Sequence, residues 1–173
     1  MRIVLRALAF GVATTLLASV DLAACGDKYL RLATRLGPGY TAEHRATLLI
    51  YMPPGSAVPA AAKSLRLHEA LKRAGHSVYT VENEADLATT LAKRPYDIVV
   101  VDGATVGTLA SRLQRAPGRP SLIPIFDKQQ SRQQLAEART RLGCLIAARE
   151  KVVYAVAEID HVMDLRKTAK ANP

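Results

Sequence analysis

Residues 97–102 read Asp-Ile-Val-Val-Val-Asp, four consecutive β-branched side chains between two acidic residues. β-branched side chains favour the extended backbone, because their crowded Cβ atoms pack well on a pleated surface. A strand that is apolar at every position is buried on both faces, as the inner strands of parallel sheets are. This stretch therefore predicts a central strand with helices packed on both sides of it.

Short apolar runs alternate with helical periods on both sides of this strand. Further strands are predicted at residues 47–52, 78–81, 121–126 and 144–147, and helices at residues 60–74, 83–93, 105–114, 131–142 and 152–167. Strands that alternate with helices favour a parallel sheet, because each helix returns the chain to the same edge through a right-handed crossover. We therefore predict a three-layer, doubly wound α/β fold with five strands in the flavodoxin-like order 2-1-3-4-5.

The composition narrows the domain count and the class of protein. The chain has 173 residues, of which 49% are hydrophobic, and this suits one domain with a packed core. Its two cysteines are too few for a zinc ribbon or a disulfide-rich scaffold. The four histidines show no pair with the spacing of metal ligands, so no metal site is predicted.

The beginning of the chain is typical of an export signal. Arg2 and Arg6 precede residues 7–20, which carry one apolar or small side chain after another and no charge. This run is shorter than the roughly 20 apolar residues that a membrane-spanning helix needs, and it fits a secretory signal peptide. The predicted segments are a signal peptide at residues 1–24, a short helix and linker at 25–45, the α/β domain at 46–168 and a disordered tail at 169–173.

Residues 22–25, Leu-Ala-Ala-Cys, resemble the lipobox of bacterial lipoproteins, in which the cysteine is acylated and becomes the mature N-terminus. The resemblance implies a lipid anchor on Cys25, held by acyl methylenes that contribute about 0.8 kcal/mol each. A competing use of Cys25 is a disulfide with Cys144, the only other cysteine, and two unmodified thiols are a third outcome. We therefore expect either a periplasmic or membrane-anchored lipoprotein or a secreted soluble protein with a Cys25–Cys144 disulfide.

Residues 96–103, YDIVVVDG, are similar to the third strand of response-regulator receiver domains, whose closing aspartate accepts a phosphoryl group. The segment LKRAGH at residues 71–76, followed by a short strand, is similar to the end of the first receiver helix. The likeness in element order extends over residues 46–168. It implies that Asp102 occupies the phosphoacceptor position.

Receiver chemistry needs more than one acidic residue, because Mg²⁺ requires several oxygen ligands. The acidic pair expected after the first strand falls at residues 51–53, Tyr-Met-Pro, and no Asp or Glu occurs between Glu43 and Glu69. The hydroxyl residue expected after the fourth strand and the lysine expected after the fifth are also missing. We therefore interpret Asp102 as a vestigial phosphoacceptor position, with residual phosphotransfer there as a third hypothesis for the function.

No other motif predicts catalysis. Residues 103–107 imitate a G-x-S-x-G turn with threonine, but the one later histidine, His161, lies within a predicted helix. Pro53 and Pro54 remove N–H groups where a phosphate-binding loop would need them. We predict no enzyme activity and no cofactor. A small ligand would occupy the crevice at the carboxyl ends of the strands, and the residues predicted to line it are Tyr51, Met52, Ser56, Asp102, Gly103, Phe126 and Lys128.

The distribution of charge indicates which kinds of partner the chain could bind. The chain has 24 Lys+Arg against 15 Asp+Glu, and its densest basic group is Arg112, Arg115, Arg119, Arg132, Arg139 and Arg141. Because no aromatic residues alternate with the basic ones, no nucleic-acid binding is predicted, and this group would face anionic lipid or an acidic partner.

Receivers present their fourth helix, fifth strand and fifth helix to partners. The resemblance therefore implies a protein partner or a homodimer bound through residues 131–142, 144–147 and 152–167. We interpret the chain as an exported, non-catalytic pseudo-receiver module, with a small-ligand-binding protein as the alternative.

Overall fold

The computed structural model describes residues 40–171, which form one five-stranded sheet with helices on both faces. The strands are β1 (Thr47–Tyr51), β2 (Ser77–Val81), β3 (Ile98–Asp102), β4 (Ser121–Phe126) and β5 (Ile146–Ala147). The helices are α1 (Val58–Leu65), α2 (Leu67–Arg73), α3 (Glu84–Lys93), α4 (Val106–Arg115), α5 (Arg132–Leu142) and α6 (Val152–Ala171). A 3₁₀ turn, Gly103–Thr105, joins β3 to α4.

The sheet has the order β2-β1-β3-β4-β5, and every neighbouring pair is parallel. This confirms the predicted α/β class and the predicted strand order. Between residues 40 and 171, none of the helices is long and apolar enough to cross a bilayer. The predicted signal peptide and Cys25 lie outside the described residues.

The core lies on both faces of β3. Residues 98–101 of this strand have no exposed surface, and successive side chains point to opposite faces because the side-chain period of a strand is two. Ile98 and Val100 pack with β1 side chains against α1, α2 and α6. Val99 and Val101 pack against α3 and α4. A smaller cluster under α5 completes the interior.

The helix predicted at residues 60–74 is two helices, separated at Arg66. Arg66 has a left-handed backbone, with φ 49° and ψ 40°. The flanking leucines explain the break, because Leu65 and Leu67 are both buried. In one continuous helix they would be about 200° apart around the axis and could not both face the sheet.

The end of the chain also differs from the prediction. Helix α6 continues to Ala171, so residues 169–171 are helical where a disordered tail was predicted. Strand β5 has two residues instead of the predicted four. Residues 40–46 are not helical and lead directly into β1, while the rest of the predicted helix and linker lies outside the described residues.

Candidate functional site at the carboxyl ends of the strands

The strand order places a topological switch point between β1 and β3, where the chain leaves the two strands toward opposite faces of the sheet. Folds of this kind hold their ligands in the crevice at the carboxyl side of such a point. Two connections border it here. One is the loop of residues 52–57 after β1, and the other is the turn Gly103–Thr105 after β3.

The Asp102 carboxylate connects these two segments. Its Oδ2 accepts a hydrogen bond from the Ala57 backbone N–H at 2.7 Å, across the switch point. Its Oδ1 accepts one from the Ala104 backbone N–H at 2.8 Å and so caps the 3₁₀ turn. The Thr105 hydroxyl donates to the Asp102 backbone carbonyl at 3.0 Å. Both carboxylate oxygens of Asp102 therefore hold backbone in place.

A second aspartate at this edge, Asp127, caps its own turn. Asp127 follows β4, and its Oδ1 accepts a hydrogen bond from the Gln129 backbone N–H at 2.9 Å. Across residues 40–171, no three His, Cys, Asp or Glu side chains are grouped so that they could hold a metal ion.

Phe126 fills the space beside Gly103. A Cβ atom built on Gly103 would overlap the Phe126 ring, with the ring Cζ at 2.5 Å. Only glycine therefore allows the ring to lie this close to the turn after β3. The ring occupies part of the crevice in which a small ligand was predicted.

The remaining predicted lining residues are divided between the core and the surface. Tyr51 is buried in the core between the sheet and the α3/α4 layer, so it does not line the crevice. Met52 packs against the core on the opposite face of the sheet. Lys128 is exposed. The Ser56 hydroxyl is buried and has no hydrogen-bond partner among the described residues.

The predicted basic group is not one surface. Arg112 pairs with Glu84 at 2.7 Å, and Arg139 pairs with Glu150 at 2.8 Å. Arg132 begins α5 and Arg141 lies in its last turn, at opposite ends of the helix. Arg115 and Arg119 lie at the same edge of the sheet as Arg141, because α4 and α5 both end at the amino edge.

Sequence reasoning missed two buried carboxyl groups in α6, Glu158 and Asp160. Glu158 is 2% exposed and Asp160 is 5% exposed. Burial raises the pKa of Glu158 to about 8, although the Leu145 backbone N–H opposes the rise. Burial, and then the Asp164 charge, raises the pKa of Asp160 to about 6. The sequence offered one signal for them, since both residues stand between apolar residues of the predicted last helix.

Two histidines hold the segment before β1. The His76 Nδ1 accepts a hydrogen bond from the Ala46 backbone N–H at 3.2 Å, so the proton of the neutral ring is on Nε2. Burial lowers the pKa of His76. His44 Nε2 lies 2.9 Å from Asp164 Oδ1, and its Nδ1 lies 2.7 Å from Lys167 Nζ. These contacts attach residues 44–46 to α6 and to the start of β2.

Comparison with protein-family models, with curated proteins and with solved structures finds no match to this chain. The function proposed below therefore rests on the fold and on the arrangement of residues at the carboxyl ends of the strands.

Proposed function

We propose that this chain is an exported, non-catalytic pseudo-receiver module that binds a protein partner and is not phosphorylated. The observation that carries the proposal is the pair of hydrogen bonds from backbone N–H groups to the two carboxylate oxygens of Asp102, at 2.7 and 2.8 Å. The receiver likeness of residues 96–103 supplies the comparison, because it assigns Asp102 to the phosphoacceptor position.

Phosphoryl transfer to a carboxylate needs an oxygen that is free to attack and positive charge to stabilise the transition state. Each Asp102 oxygen instead bonds to a different backbone segment. Attack through either oxygen would weaken a charge-assisted hydrogen bond that contributes about 1.5–3 kcal/mol. These bonds favour a structural role for the carboxylate.

The face implied by the resemblance consists of α5, β5 and α6. The outward residues of α5, such as Arg132, Gln133 and Glu137, are exposed and polar. Strand β5 pairs only with β4 in the described sheet, so its other edge is open to a partner. A polar helix beside an open strand edge suits a reversible contact with another protein or with a second copy of this chain.

The test is incubation of the mature chain with acetyl phosphate and Mg²⁺, followed by intact-mass analysis. We expect no gain of a phosphoryl group in the wild type. The Asp102→Asn variant and the matched Asp127→Asn variant serve as controls. A phosphoryl adduct that disappears only in Asp102→Asn would overturn the proposal in favour of residual phosphotransfer.

A second candidate function is small-ligand binding at the crevice, and the buried Ser56 hydroxyl without a partner favours it. A screen of small metabolites by thermal shift tests it. A saturable rise in the unfolding temperature that Ser56→Ala removes would support the binder, because an alanine cannot donate to the ligand. A response equal in both proteins would reject Ser56 as its site.

A further inference from the structure

Nine of the exposed basic side chains between residues 40 and 171 lie at one edge of the sheet. In a parallel sheet, each connecting helix runs back toward the amino ends of the strands. The last turns of all six helices are basic, and Lys63 of α1 lies where that helix meets α2. The other five helices contribute Lys72 and Arg73 in α2, Lys93 in α3, Arg112 and Arg115 in α4, Arg139 and Arg141 in α5, and Lys170 in α6. Because these helices end at one edge, their terminal charges meet there.

We define the basic pole as the exposed basic residues at this amino edge apart from Arg94, whose guanidinium stacks on Tyr79. They are Arg45, Lys72, Arg73, Lys93, Arg115, Arg119, Arg141, Lys167 and Lys170. Contacts between elements place them together. The Arg166 guanidinium donates to the carbonyls of Gly118 and Arg119, at 3.1 and 2.8 Å, which holds the end of α6 against the loop before β4. Lys167 Nζ lies 2.7 Å from the His44 ring, just before β1.

The charge of the basic pole is largely uncompensated. Among the described residues, no carboxylate lies within ion-pair distance of these nine side chains. The acids near this edge are Glu43, Asp97, Asp160 and Asp164, and Asp160 is buried against the backbone of Glu43 and His44. Asp97 accepts a hydrogen bond from the Thr47 backbone N–H at 2.8 Å, and Asp164 pairs with His44 at 2.9 Å. Glu43 and Asp164, whose side chain is 44% exposed, are the acids that stand exposed among the positive charges of the described residues.

An exposed apolar side chain lies in α6, the helix that carries Lys167 and Lys170 of the basic pole. Leu165 is 51% exposed, and it points about 200° away from Lys167 around the helix axis. The other exposed large apolar residue of the described chain, Tyr79, is 38% exposed, and the Arg94 guanidinium occupies one face of its ring at 3.6 Å from the ring centre. An exposed leucine that borders a basic surface suits the boundary between lipid headgroups and acyl chains.

The chain also enters the domain at this pole. The Ala42 backbone N–H donates to the carbonyl of Ala74, at the end of α2, at 2.8 Å. Residues that precede Tyr40 therefore join the domain on the same side as the basic charges. A membrane attachment upstream of Tyr40 would bring this side toward the bilayer.

We propose that the basic pole docks on an anionic phospholipid surface, with the phosphodiester headgroups contacting the lysines and arginines and Leu165 entering the interface. The inference goes beyond the proposed partner-binding role and needs no acyl chain on Cys25. Charge complementarity, the exposed leucine and the entry point of the chain together favour a lipid surface. A nucleic acid would be expected to stack on exposed aromatic side chains, and Tyr79, the exposed aromatic residue of the described chain, already stacks with Arg94.

The test measures binding to vesicles of phosphatidylcholine alone and of phosphatidylcholine mixed with phosphatidylglycerol. It uses the mature chain, residues 25–173, with Cys25→Ser, so that no acyl chain contributes. We expect binding to the anionic vesicles only, and we expect that binding to weaken as salt rises. Binding that ignores the anionic lipid would overturn the proposal.

Matched variants locate the surface. The triple variant Lys72→Glu, Lys93→Glu, Lys170→Glu changes three exposed lysines of the pole, and the triple variant Lys63→Glu, Lys128→Glu, Lys151→Glu changes three exposed lysines elsewhere. Both have the same net charge. We expect the first to lose about tenfold or more in vesicle affinity and the second to lose much less, because surface attraction decays within a Debye length.

Equal losses in the two triple variants would overturn the proposal, because the attraction would then depend on net charge alone. Tight binding of the wild type to a DNA duplex without binding to anionic vesicles would overturn it as well. Circular dichroism verifies that the variants are folded, and Leu165→Ser provides a second readout. That variant keeps every charge, so a loss of vesicle affinity would show that the pole contacts the bilayer through this residue.

Discussion

Asp102 stands where β3 ends, and its two carboxylate oxygens accept N–H groups from different segments. The carboxylate therefore satisfies two backbone N–H donors that would otherwise lack a partner. The neighbouring Gly103 has a comparable role, because it makes room for the Phe126 ring. At the scale of single residues, this edge of the sheet is held together by its own backbone and side chains.

We expect Asp102→Asn to lower the free energy of unfolding by about 1–3 kcal/mol, because the amide can accept only through its oxygen and loses one hydrogen bond to a charged group. Urea unfolding measures the change. Asp127→Asn is the matched control and should cost less, since Asp127 bonds only within its own turn. A more stable Asp102→Asn variant would contradict the structural role.

Gly103→Ala should destabilise the protein by about 1–3 kcal/mol, because the new methyl group would overlap the Phe126 ring. Phe126→Leu removes the ring, so it should recover part of the loss in a double variant. A double-mutant cycle from thermal or urea unfolding measures this coupling. Additive effects of the two substitutions would show that the close approach is unimportant.

The burial of Glu158 makes the free energy of unfolding depend on pH. Its pKa rises from an ordinary value of 4.5 to about 8, so the folded chain keeps this proton where the unfolded chain has lost it. The contribution of Glu158 to stability is therefore fully present below about pH 4.5 and is lost as pH rises toward 8. From pH 5.5 to 8.5 we expect a loss of about 3 kcal/mol from this group.

Urea unfolding at several pH values checks this expectation. Glu158→Gln should flatten the dependence between pH 5.5 and 8.5, because glutamine does not ionise. Asp160→Asn is a useful comparison, since the pKa of Asp160 rises only from 3.8 to about 6. Its effect should therefore be confined to lower pH. The expectation would be contradicted by a wild-type free energy of unfolding that rises toward pH 8.5 and by the same rise in Glu158→Gln.

At the scale of elements, the break between α1 and α2 allows two leucines to pack against the same sheet. Arg66 adopts a left-handed backbone so that Leu65 and Leu67 both face the core. A left-handed conformation costs a residue with a side chain about 1–2 kcal/mol, while glycine adopts it freely. The local strain is offset by the burial of a second leucine, which contributes about 1.5–3 kcal/mol.

Arg66→Gly should therefore raise the free energy of unfolding by about 0.5–1 kcal/mol, after the larger entropy of glycine in the unfolded chain is included. Lys63→Gly is the control within α1, where glycine should destabilise by about 1 kcal/mol. Urea unfolding of both variants measures the contrast. Equal destabilisation by the two glycines would indicate that Arg66 carries no strain.

At the scale of the whole molecule, the parallel topology gathers the ends of the helices, and with them most of the exposed lysines and arginines, at the amino edge. The proposed attachment then has two components, the acyl chains on Cys25 and the basic pole. Several acyl chains would hold the protein firmly, and the basic pole would turn one side of the domain toward the bilayer.

We expect the full chain expressed in a bacterium that processes lipoproteins to fractionate with membranes, and Cys25→Ser to weaken this attachment and make it releasable by high salt. Intact-mass analysis of both fractions reports the acyl groups on Cys25. A mature soluble protein with a Cys25–Cys144 disulfide would contradict the lipid anchor and support the secreted alternative.

The fold was predictable because its strongest signals are local. The run at residues 98–101 is apolar enough to specify a doubly buried strand, and Gly75 and Pro95 separate helices from the strands that follow them. The role of Asp102 was only half predictable. A strand-end aspartate suggests a cap, but its bond to Ala57 joins residues 45 positions apart.

The sequence by itself determined the class and the limits of most elements, because periodicity and turn residues act over a few neighbouring positions. The strand order was predicted from the fold that alternating strands and helices favour. Tertiary structure alone decided that Glu158 and Asp160 are buried, that Arg112 and Arg139 are neutralised by distant glutamates, and that charges from many helices share one edge. Burial and electrostatic pairing depend on distances in space. Those distances exist only once the sheet has brought remote segments together.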